Sequence, residues 1–437
     1  MTRTPALMIA APASGSGKTV LTLALLRHFR NQGSVVSSFK AGPDFIDPAY
    51  HEAASGRVCR NLDCWAMRPA TLVRLAAAVG ADADLVIGEG VMGLFDGATD
   101  GTGSTADLAA LGGWPVVLVV DVRGQAASAA ATVSGFAGFR GDVGIAGVIF
   151  NRCGGEGHAR ILRDAVAPLG IPVLGCVPRD PGLHLPDRHL GLVQAGELDD
   201  LDAFLDAAAV VVAAHVDTDA LRALARPGTV SGGDGAGECL PPLGQRIAVA
   251  RDTAFAFSYP FVFDGWRSAG AEIVPFSPLT DEAPDGAADA VYLPGGYPEL
   301  HAGRLAGNGA FLDGLRIAAA RGGVIYGECG GYMVLGEGLV DGDGRRHGMA
   351  GLVALETSFA ERRLHLGYRQ ARLASDGPLG RGGAEYRGHE FHYASILREH
   401  AVDPLFVCRD ARGDDLGPAG CRRGSVMGSF VHLVDAV

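Results

Sequence analysis

Lysine is almost absent from this chain. Of 37 basic residues among 437, only Lys18 and Lys40 are lysines, and the rest are arginines. A codon bias toward GC places arginine wherever either cation serves. The two lysines that remain therefore mark positions where a compact ammonium does something a guanidinium cannot. Aromatic residues are also few, at 7% against 65 glycines. That argues against an aromatic-rich binding module and for α/β layers joined by many tight turns. No run of 18 apolar residues occurs, the longest being of the size of Val116–Val120 and Ala207–Ala214, so no membrane span is expected. Met1-Thr-Arg-Thr-Pro5 leads straight into a β-like stretch, so the expectation is no signal peptide and a cytoplasmic protein. The eight cysteines include no Cys-x-x-Cys pair, the closest two being Cys59 and Cys64. Such spacing reads as reduced thiols, not as a disulfide frame or a zinc cluster. Net positive charge is lacking too: a formal charge of −12 excludes nucleic acid and membrane surfaces as general partners while leaving room for local anion sites.

A hydrophobic content of 48% with 20% charged residues suffices for packed cores, and the length suggests two or three domains. Short apolar runs at Leu7–Ala11, Val35–Phe39, Leu85–Ile87, Val116–Val120 and Gly144–Phe150 read as strands with helical material between them. The clearest helix is Lys18–Gln32, apolar at Val20, Leu21, Leu23, Leu25, Leu26 and Phe29 and stopped at Gly33. Unbroken apolar strands alternating with helices predict a parallel sheet covered on both faces. Residues 226–245, rich in Gly and Pro and without periodicity, read as a linker. A second α/β pattern follows, with strands at Ile247–Ala250, Glu272–Pro275, Ala290–Leu293 and Val324–Gly327. The expected division is 1–225, a linker at 226–245, and 246–437.

Ala11-Pro-Ala-Ser-Gly-Ser-Gly-Lys-Thr19 lies between the first strand and the first helix, the context that a phosphate-binding loop requires. Backbone N–H groups of Ser14, Gly15, Ser16 and Gly17 would face phosphates at a helix N-terminus, with Lys18 adding a point charge and the Thr19 hydroxyl able to sit on Mg²⁺. The usual first glycine of such a loop is Pro12 here. The second lysine opens Lys40-Ala-Gly-Pro-Asp-Phe-Ile-Asp-Pro48, directly after the second strand. Asp44 and Asp47, three residues apart, could aim at one cation. Taken singly, each could equally be a turn residue beside Pro43 or Pro48. Glu89 ends the next strand, and ligands collect at the carboxyl ends of strands in open α/β sheets. Thr19, Asp44, Asp47 and Glu89 are thus expected around one Mg²⁺–nucleotide.

In the second half, Gly322-Gly-Val-Ile-Tyr-Gly-Glu-Cys-Gly-Gly331 sets Cys329 after an apolar strand and before two glycines. This is the layout of a nucleophile elbow. The Gly330 N–H, and one from the Gly295–Gly296 pair in Leu293-Pro-Gly-Gly-Tyr-Pro298, can stabilise an oxyanion. Cys329 is expected to act as a thiolate activated by a histidine. The residues leave the base open between His432 and the pair His389/His392.

KAGPDFIDPAYH, EGVMGLFDG, Gly103-Ser-Thr-Ala106, GVIFNR (147–152) and DRHLGL (187–192) resemble the synthetase domain of the cobyrinate/hydrogenobyrinate a,c-diamide synthase family, related to dethiobiotin synthetase. Residues 246–437, from Arg246-Ile-Ala-Val-Ala-Arg-Asp-Thr-Ala-Phe-Ala-Phe-Ser-Tyr259 onward, resemble the class I glutamine amidotransferases in their corrinoid branch. The resemblance implies an α/β P-loop synthetase domain and a second α/β amidotransferase domain. It implies ATP and Mg²⁺, L-glutamine as nitrogen donor, and two acetate side chains, a and c, of a corrinoid acid activated as acyl phosphates. By the same resemblance Lys40 faces the reacting carboxylate, Asn151 touches adenine, Ile46, Tyr50 and His51 border the corrinoid, and His432 is the base. Members of the class ordinarily carry Glu two residues after that histidine; here Val434 stands there, and nothing in the sequence says what orients His432. Dethiobiotin synthetase relatives pair through the P-loop domain, which implies a homodimer. The arginine bias leans toward metal-free hydrogenobyrinate over cobyrinate. Two relatives remain alternatives: a cobyric acid synthase, disfavoured by the Lys40–Pro48 motif, and a nickel-sirohydrochlorin a,c-diamide synthase. A different class of reading, a regulatory P-loop ATPase with a non-catalytic amidotransferase-like domain, is opposed by the intact Cys329 elbow.

Overall fold

The computed structural model describes residues 4–188, 191–230, 239–399 and 403–437. His189 and Leu190 of the DRHLGL segment, residues 231–238 of the expected linker, and the first three residues lie outside the described residues. The chain divides into two compact units, Met1–Trp65 with Pro69–Gly235, and Ala66–Arg68 with Ala236–Val437. Among the described residues no helix is long and apolar enough to cross a membrane.

The first unit is built on parallel strands β1 (Pro5–Ala10), β2 (Val36–Ala41), β3 (Arg60–Leu62), β4 (Leu85–Glu89), β5 (Val116–Asp121), β6 (Ile145–Cys153) and β7 (Val173–Pro178), in the order 3-2-4-1-5-6-7. Leu7–Ala10, Leu85–Ile87 and Val116–Val120 are buried on both faces, which is why they carry continuous apolar sequence instead of alternation. The short β3 (Arg-Asn-Leu) has no such run and escapes the sequence pattern. Arg226–Pro227 pairs antiparallel with Pro5–Ala6, so this sheet runs two residues past the boundary that the sequence suggests. Because β2, β4 and β1 are neighbours, their carboxyl ends lie side by side. Helix α1 (Lys18–Asn31) follows β1, and α2 (Asp47–Ser55) follows β2. Lys40 lies within β2, not after it.

In the second unit, strands Glu272–Phe276, Arg246–Ala250, Ala290–Leu293, Val324–Glu328 and Val426–Ser429 run parallel in that order. The sheet then continues antiparallel through Asp415–Arg423, Pro404–Arg409, His365–Leu373, Glu385–His392 and His432–Ala436. A four-stranded sheet, Arg346–Gly348, Gly338–Val340, Leu355–Ser358 and Ser395–Glu399, lies beside it in sequence. Phe255, Leu293, Phe311, Leu315, Ile325 and Tyr332 form part of the hydrophobic core of this unit, and Cys329 is embedded in the same cluster.

Candidate active sites

In the first unit the loop after β1 turns twice through left-handed backbone, Gly15 at φ +77° and Gly17 at φ +91°. Gly17 is the N-cap of α1 and supplies no capping side chain. The first N–H groups of the helix therefore remain available to an anion, which the helix dipole also favours. A methyl group on Gly17 would lie 2.2 Å from Asn151 Nδ2. Asn151, near the end of β6, donates to the Ser16 carbonyl at 2.9 Å and so braces this loop. Lys18 Nζ donates to the Met92 carbonyl at 2.8 Å. Burial, and then the neighbouring Lys40 charge, bring its ammonium down to a pKa of about 8.

The carboxyl ends of β2 and β4 converge on the start of α1. The Thr19 hydroxyl is 2.6 Å from Glu89 Oε1 and 3.3 Å from Asp47 Oδ2. The Lys40 ammonium lies between the same two carboxylates, 2.5 Å from Asp47 and 2.8 Å from Glu89. Burial opposes its charge, but Asp47, Glu89 and Asp44 hold it well above an ordinary lysine. Burial and the Asp44 charge push Asp47 up; burial opposes ionisation of Glu89 as well, but Lys40 and His51 draw its pKa well down. His51 Nε2 meets Glu89 Oε2 at 2.7 Å. Against its burial, Cys59 and Glu89 raise the imidazole to about 10.

Asp44 behaves differently from Asp47. Its Oδ1 accepts the backbone N–H groups of Ile46 at 2.7 Å and Asp47 at 3.0 Å. The structure thus brings together Thr19, Asp47 and Glu89, while Asp44 folds the turn that starts α2. Ile46, Tyr50 and His51 are all buried, Tyr50 and His51 completely. Tyr50 donates to the Val193 carbonyl, and Ile46 lies alongside Gly191. Arg152 was not singled out by sequence. At φ +61°, it reaches the Gly15 carbonyl at 2.7 Å and Asp121 at 2.6 Å. The clue was a charged residue next to Asn151 at the end of an apolar strand.

A hydroxyl and two carboxylates gathered around a cation form an all-oxygen donor set of the kind Mg²⁺ takes together with phosphate oxygens. These residues fit that ion. Among the described residues, no three His, Cys, Asp or Glu side chains make a metal cluster by themselves.

In the second unit Cys329 follows the strand Val324–Glu328 at φ +47°, ψ −105°. A non-glycine residue held there is strained, a feature that gathers at functional sites. The turn is possible because Gly331 has no side chain: a Cβ there would lie 2.0 Å from the Leu293 carbonyl. The Cys329 N–H donates to the Ser429 carbonyl at 2.8 Å, which ties the elbow to the adjacent strand. A Cβ on Gly295 would lie 2.4 Å from His432 Cε1, 3.2 Å from Nε2 and 3.4 Å from Cys329 Cβ. Cysteine and histidine thus meet over one bare backbone position. A Cβ on Gly330 would come within 3.1 Å of the Gly296 nitrogen, so the two expected oxyanion donors are neighbours.

Burial, followed by the Glu299 charge, raises the Cys329 thiol far above the usual range, with the Gly330 N–H working the other way. His389 stacks on His432, centroids 5.0 Å apart and planes 13° apart. Its Nε2 meets the Tyr259 hydroxyl at 2.8 Å, and burial, with His432 next, keeps it neutral. His392 stacks on Phe430 at 4.0 Å. Of the three candidate histidines, His432 is the one placed over Gly295 beside Cys329. Sequence gave no reason to notice Glu328, whose carboxylate lies 3.7 Å from His432 Nδ1.

Comparison with known proteins covers both units. Residues 7–193 match the model of the CobQ/CobB/MinD/ParA nucleotide binding domain, and residues 246–436 match that of the CobB/CobQ-like glutamine amidotransferase domain. A protein of Brucella anthropi named hydrogenobyrinate a,c-diamide synthase is 58% identical over 430 residues, 98% of this chain and 98% of its own. One of the same name from Rhizobium meliloti is 56% identical, covering 98% of this chain and 99% of its own. Another from Mesorhizobium japonicum is 53% identical over 98% of each.

Proposed function

The chain belongs to the hydrogenobyrinate a,c-diamide synthase family and is a glutamine-dependent amidating ligase, and from that premise we propose that it converts the a and c acetate side chains of hydrogenobyrinate to amides at the cost of ATP. The observation that carries this reading is the meeting of strained Cys329 and His432 over Gly295, in a chain whose other unit holds an uncapped helix N-terminus behind a glycine loop.

At the first site Thr19, Asp47 and Glu89 would hold Mg²⁺, which supplies charge neutralisation to phosphate oxygens when bound. The N–H groups of residues 14–19 and Lys18 bind the nucleotide's phosphates, and Asn151 keeps their loop in shape from behind. Lys40 offers its ammonium to the substrate carboxylate and the phosphoryl group moving onto it. Activation is required because a carboxylate is a poor electrophile with a poor leaving group. Phosphorylation turns that oxygen into one that departs as phosphate. Asp44 sets the turn that aims Asp47, and Ile46, Tyr50 and His51 shape the wall on the corrinoid side.

At the second site His432 takes the proton of Cys329 as sulfur attacks the glutamine amide carbon. The oxyanion rests on the Gly296 and Gly330 N–H groups. His432 returns the proton to nitrogen as the C–N bond breaks, releasing ammonia and leaving a glutamyl thioester. Water hydrolyses that thioester to glutamate and thiol. Burial of the thiol favours this concerted transfer over a standing thiolate, and protects the sulfur between turnovers. Ammonia displaces phosphate from the activated side chain, and the cycle repeats at the second acetate. In this reading the protein works in the cytoplasm as a homodimer.

The test is product mass after incubation with ATP, Mg²⁺ and glutamine. Two amides gained on hydrogenobyrinate, and not on cobyrinate or nickel-sirohydrochlorin, is the expected result. More than two amides on one substrate would point to cobyric acid synthase chemistry. Cys329→Ala should abolish glutamine hydrolysis while ammonium salts still support amidation. A wild-type protein without glutaminase activity would overturn the reading.

A further inference from the structure

The base of the glutamine site lacks its usual partner, since the position two residues after His432 is Val434, a buried apolar side chain. The structure assigns that role to Glu328, the residue immediately before the nucleophile: its carboxylate, at the end of the strand Val324–Glu328, fixes the orientation and tautomer of His432. This inference rests on the proposed roles of Cys329 and His432.

Glu328 closes the strand Val324–Glu328 and is 3% exposed. Tyr326 and Glu328, two residues apart, share one face of that strand. Tyr292 is directly opposite Tyr326 on the parallel strand Ala290–Leu293. The three side chains therefore meet on one side of the sheet. The Tyr326 hydroxyl donates to Glu328 Oε1 at 2.9 Å, and the Leu433 N–H to the same oxygen at 3.2 Å. The Tyr292 hydroxyl donates to Oε2 at 2.8 Å. That same Oε2 is 3.7 Å from His432 Nδ1, an ion-pair separation longer than a hydrogen bond. Burial, with Glu328 second, raises both tyrosines far above the ordinary range, so both remain O–H donors. Three donors thus hold the carboxylate in place with its Oε2 toward the imidazole.

A buried carboxylate gathers donors of this kind only at a desolvation cost, and a core strand could have carried an apolar residue here. The arrangement has a chemical use. A proton on Nδ1 directed toward Glu328 leaves Nε2 as the acceptor facing Gly295 and Cys329, and a nearby negative charge stabilises the imidazolium formed when the thiol gives up its proton. Stacking against neutral His389 holds the ring plane but supplies no charge. Because Glu328 and Cys329 are consecutive, the end of one strand sets both the carboxylate and the nucleophile. Glu328 touches neither sulfur nor glutamine in this scheme, so it is a positioning residue.

The experiment is steady-state glutamine hydrolysis by Glu328→Gln in the full-length protein, together with the ¹⁵N resonances of His432. Wild type and Cys329→Ala are measured first; if the former is inactive or the latter unimpaired, it is the proposed glutaminase that fails and not the role of Glu328. Given an active wild type, Glu328→Gln should lower kcat on the order of 100-fold or more, leave KM for glutamine within about threefold, and remove the Nδ1-protonated signature of His432. A kcat near that of wild type, or an unchanged tautomer, would overturn the assignment. Should Glu328→Gln not fold, Tyr292→Phe removes one donor to Oε2 while keeping the ring's volume. It should lower kcat about tenfold, and a wild-type kcat with an unchanged His432 signature in that variant would overturn the assignment equally.

Discussion

At the scale of single residues, charge in the first unit is balanced by a point-like cation. Lys40 is buried between Asp47 and Glu89 with both ion pairs at hydrogen-bonding distance, and a planar guanidinium on a longer stem cannot occupy the same point. Lys40→Arg should therefore reduce ATP-dependent amide formation by on the order of 100-fold or more. Glutamine hydrolysis, measured separately, should change by less than about twofold because Lys40 belongs to the first unit and the glutamine site to the second. Gly295 sets a comparable limit in the second unit. An alanine methyl there would lie 2.4 Å from His432 Cε1, closer than real contacts allow, so the ring must move. Gly295→Ala should lower glutaminase kcat about 100-fold, the expected loss for a misplacement of about 1 Å, with little change in thermal midpoint. The scarcity of lysine pointed to Lys18 and Lys40 without any structure, because composition alone isolates them. The distinction between Asp44 and Asp47 was not legible. Three-residue spacing suits a shared cation and an Asx turn alike, and only the N–H groups of Ile46 and Asp47 on Asp44 separate the two.

At the scale of elements, sequence reports best where one contiguous segment holds the whole constraint. Loop, strand end and helix start are continuous at 11–19 and at 322–331, and both were readable from the glycines that such turns demand. The Glu328 cradle draws on three strands and is written nowhere as a motif. The antiparallel half of the second sheet was likewise hidden, since its pairings join segments far apart in the chain. One of these pairings carries a pH prediction. His365–Leu373 and Glu385–His392 pair antiparallel, and Arg369 on the first grips Glu390 on the second at 2.6 Å. Burial opposes ionisation of Glu390, but His392 and Arg369 prevail and hold its pKa at about 2, below its ordinary 4.5. The folded carboxyl binds its proton less readily than the unfolded one. Its stabilising contribution is complete above pH 4.5 and is lost as pH falls toward about 2. Urea unfolding followed down through that window should show Glu390→Gln with a flatter acid decline than wild type, by on the order of 3 kcal/mol. Parallel curves would show that the pair does not couple to folding.

At the scale of the whole molecule, the proposed mechanism gives one polypeptide a thiol site and a phosphate site whose reactions are useful only in sequence. Ammonia released into water is diluted and largely protonated, and an activated carboxyl group exposed to water is hydrolysed; both losses are avoided if the intermediates stay shielded. This makes a mixing experiment decisive. Under the proposed mechanism Cys329→Ala would lack the ammonia source and Lys40→Arg the activating cation, while each would retain the other's function. If ammonia passes from site to site inside one chain, an equimolar mixture of the two variants, without added ammonium, should form almost no diamide while hydrolysing glutamine freely, and glutamate released per amide should be close to one only in wild type. Addition of ammonium should then restore synthesis by the Cys329→Ala half of the mixture. Efficient synthesis by the unsupplemented mixture would mean that ammonia crosses through bulk solvent or between partner chains. The union of the two units in a single chain would then serve regulation or stoichiometry, not containment.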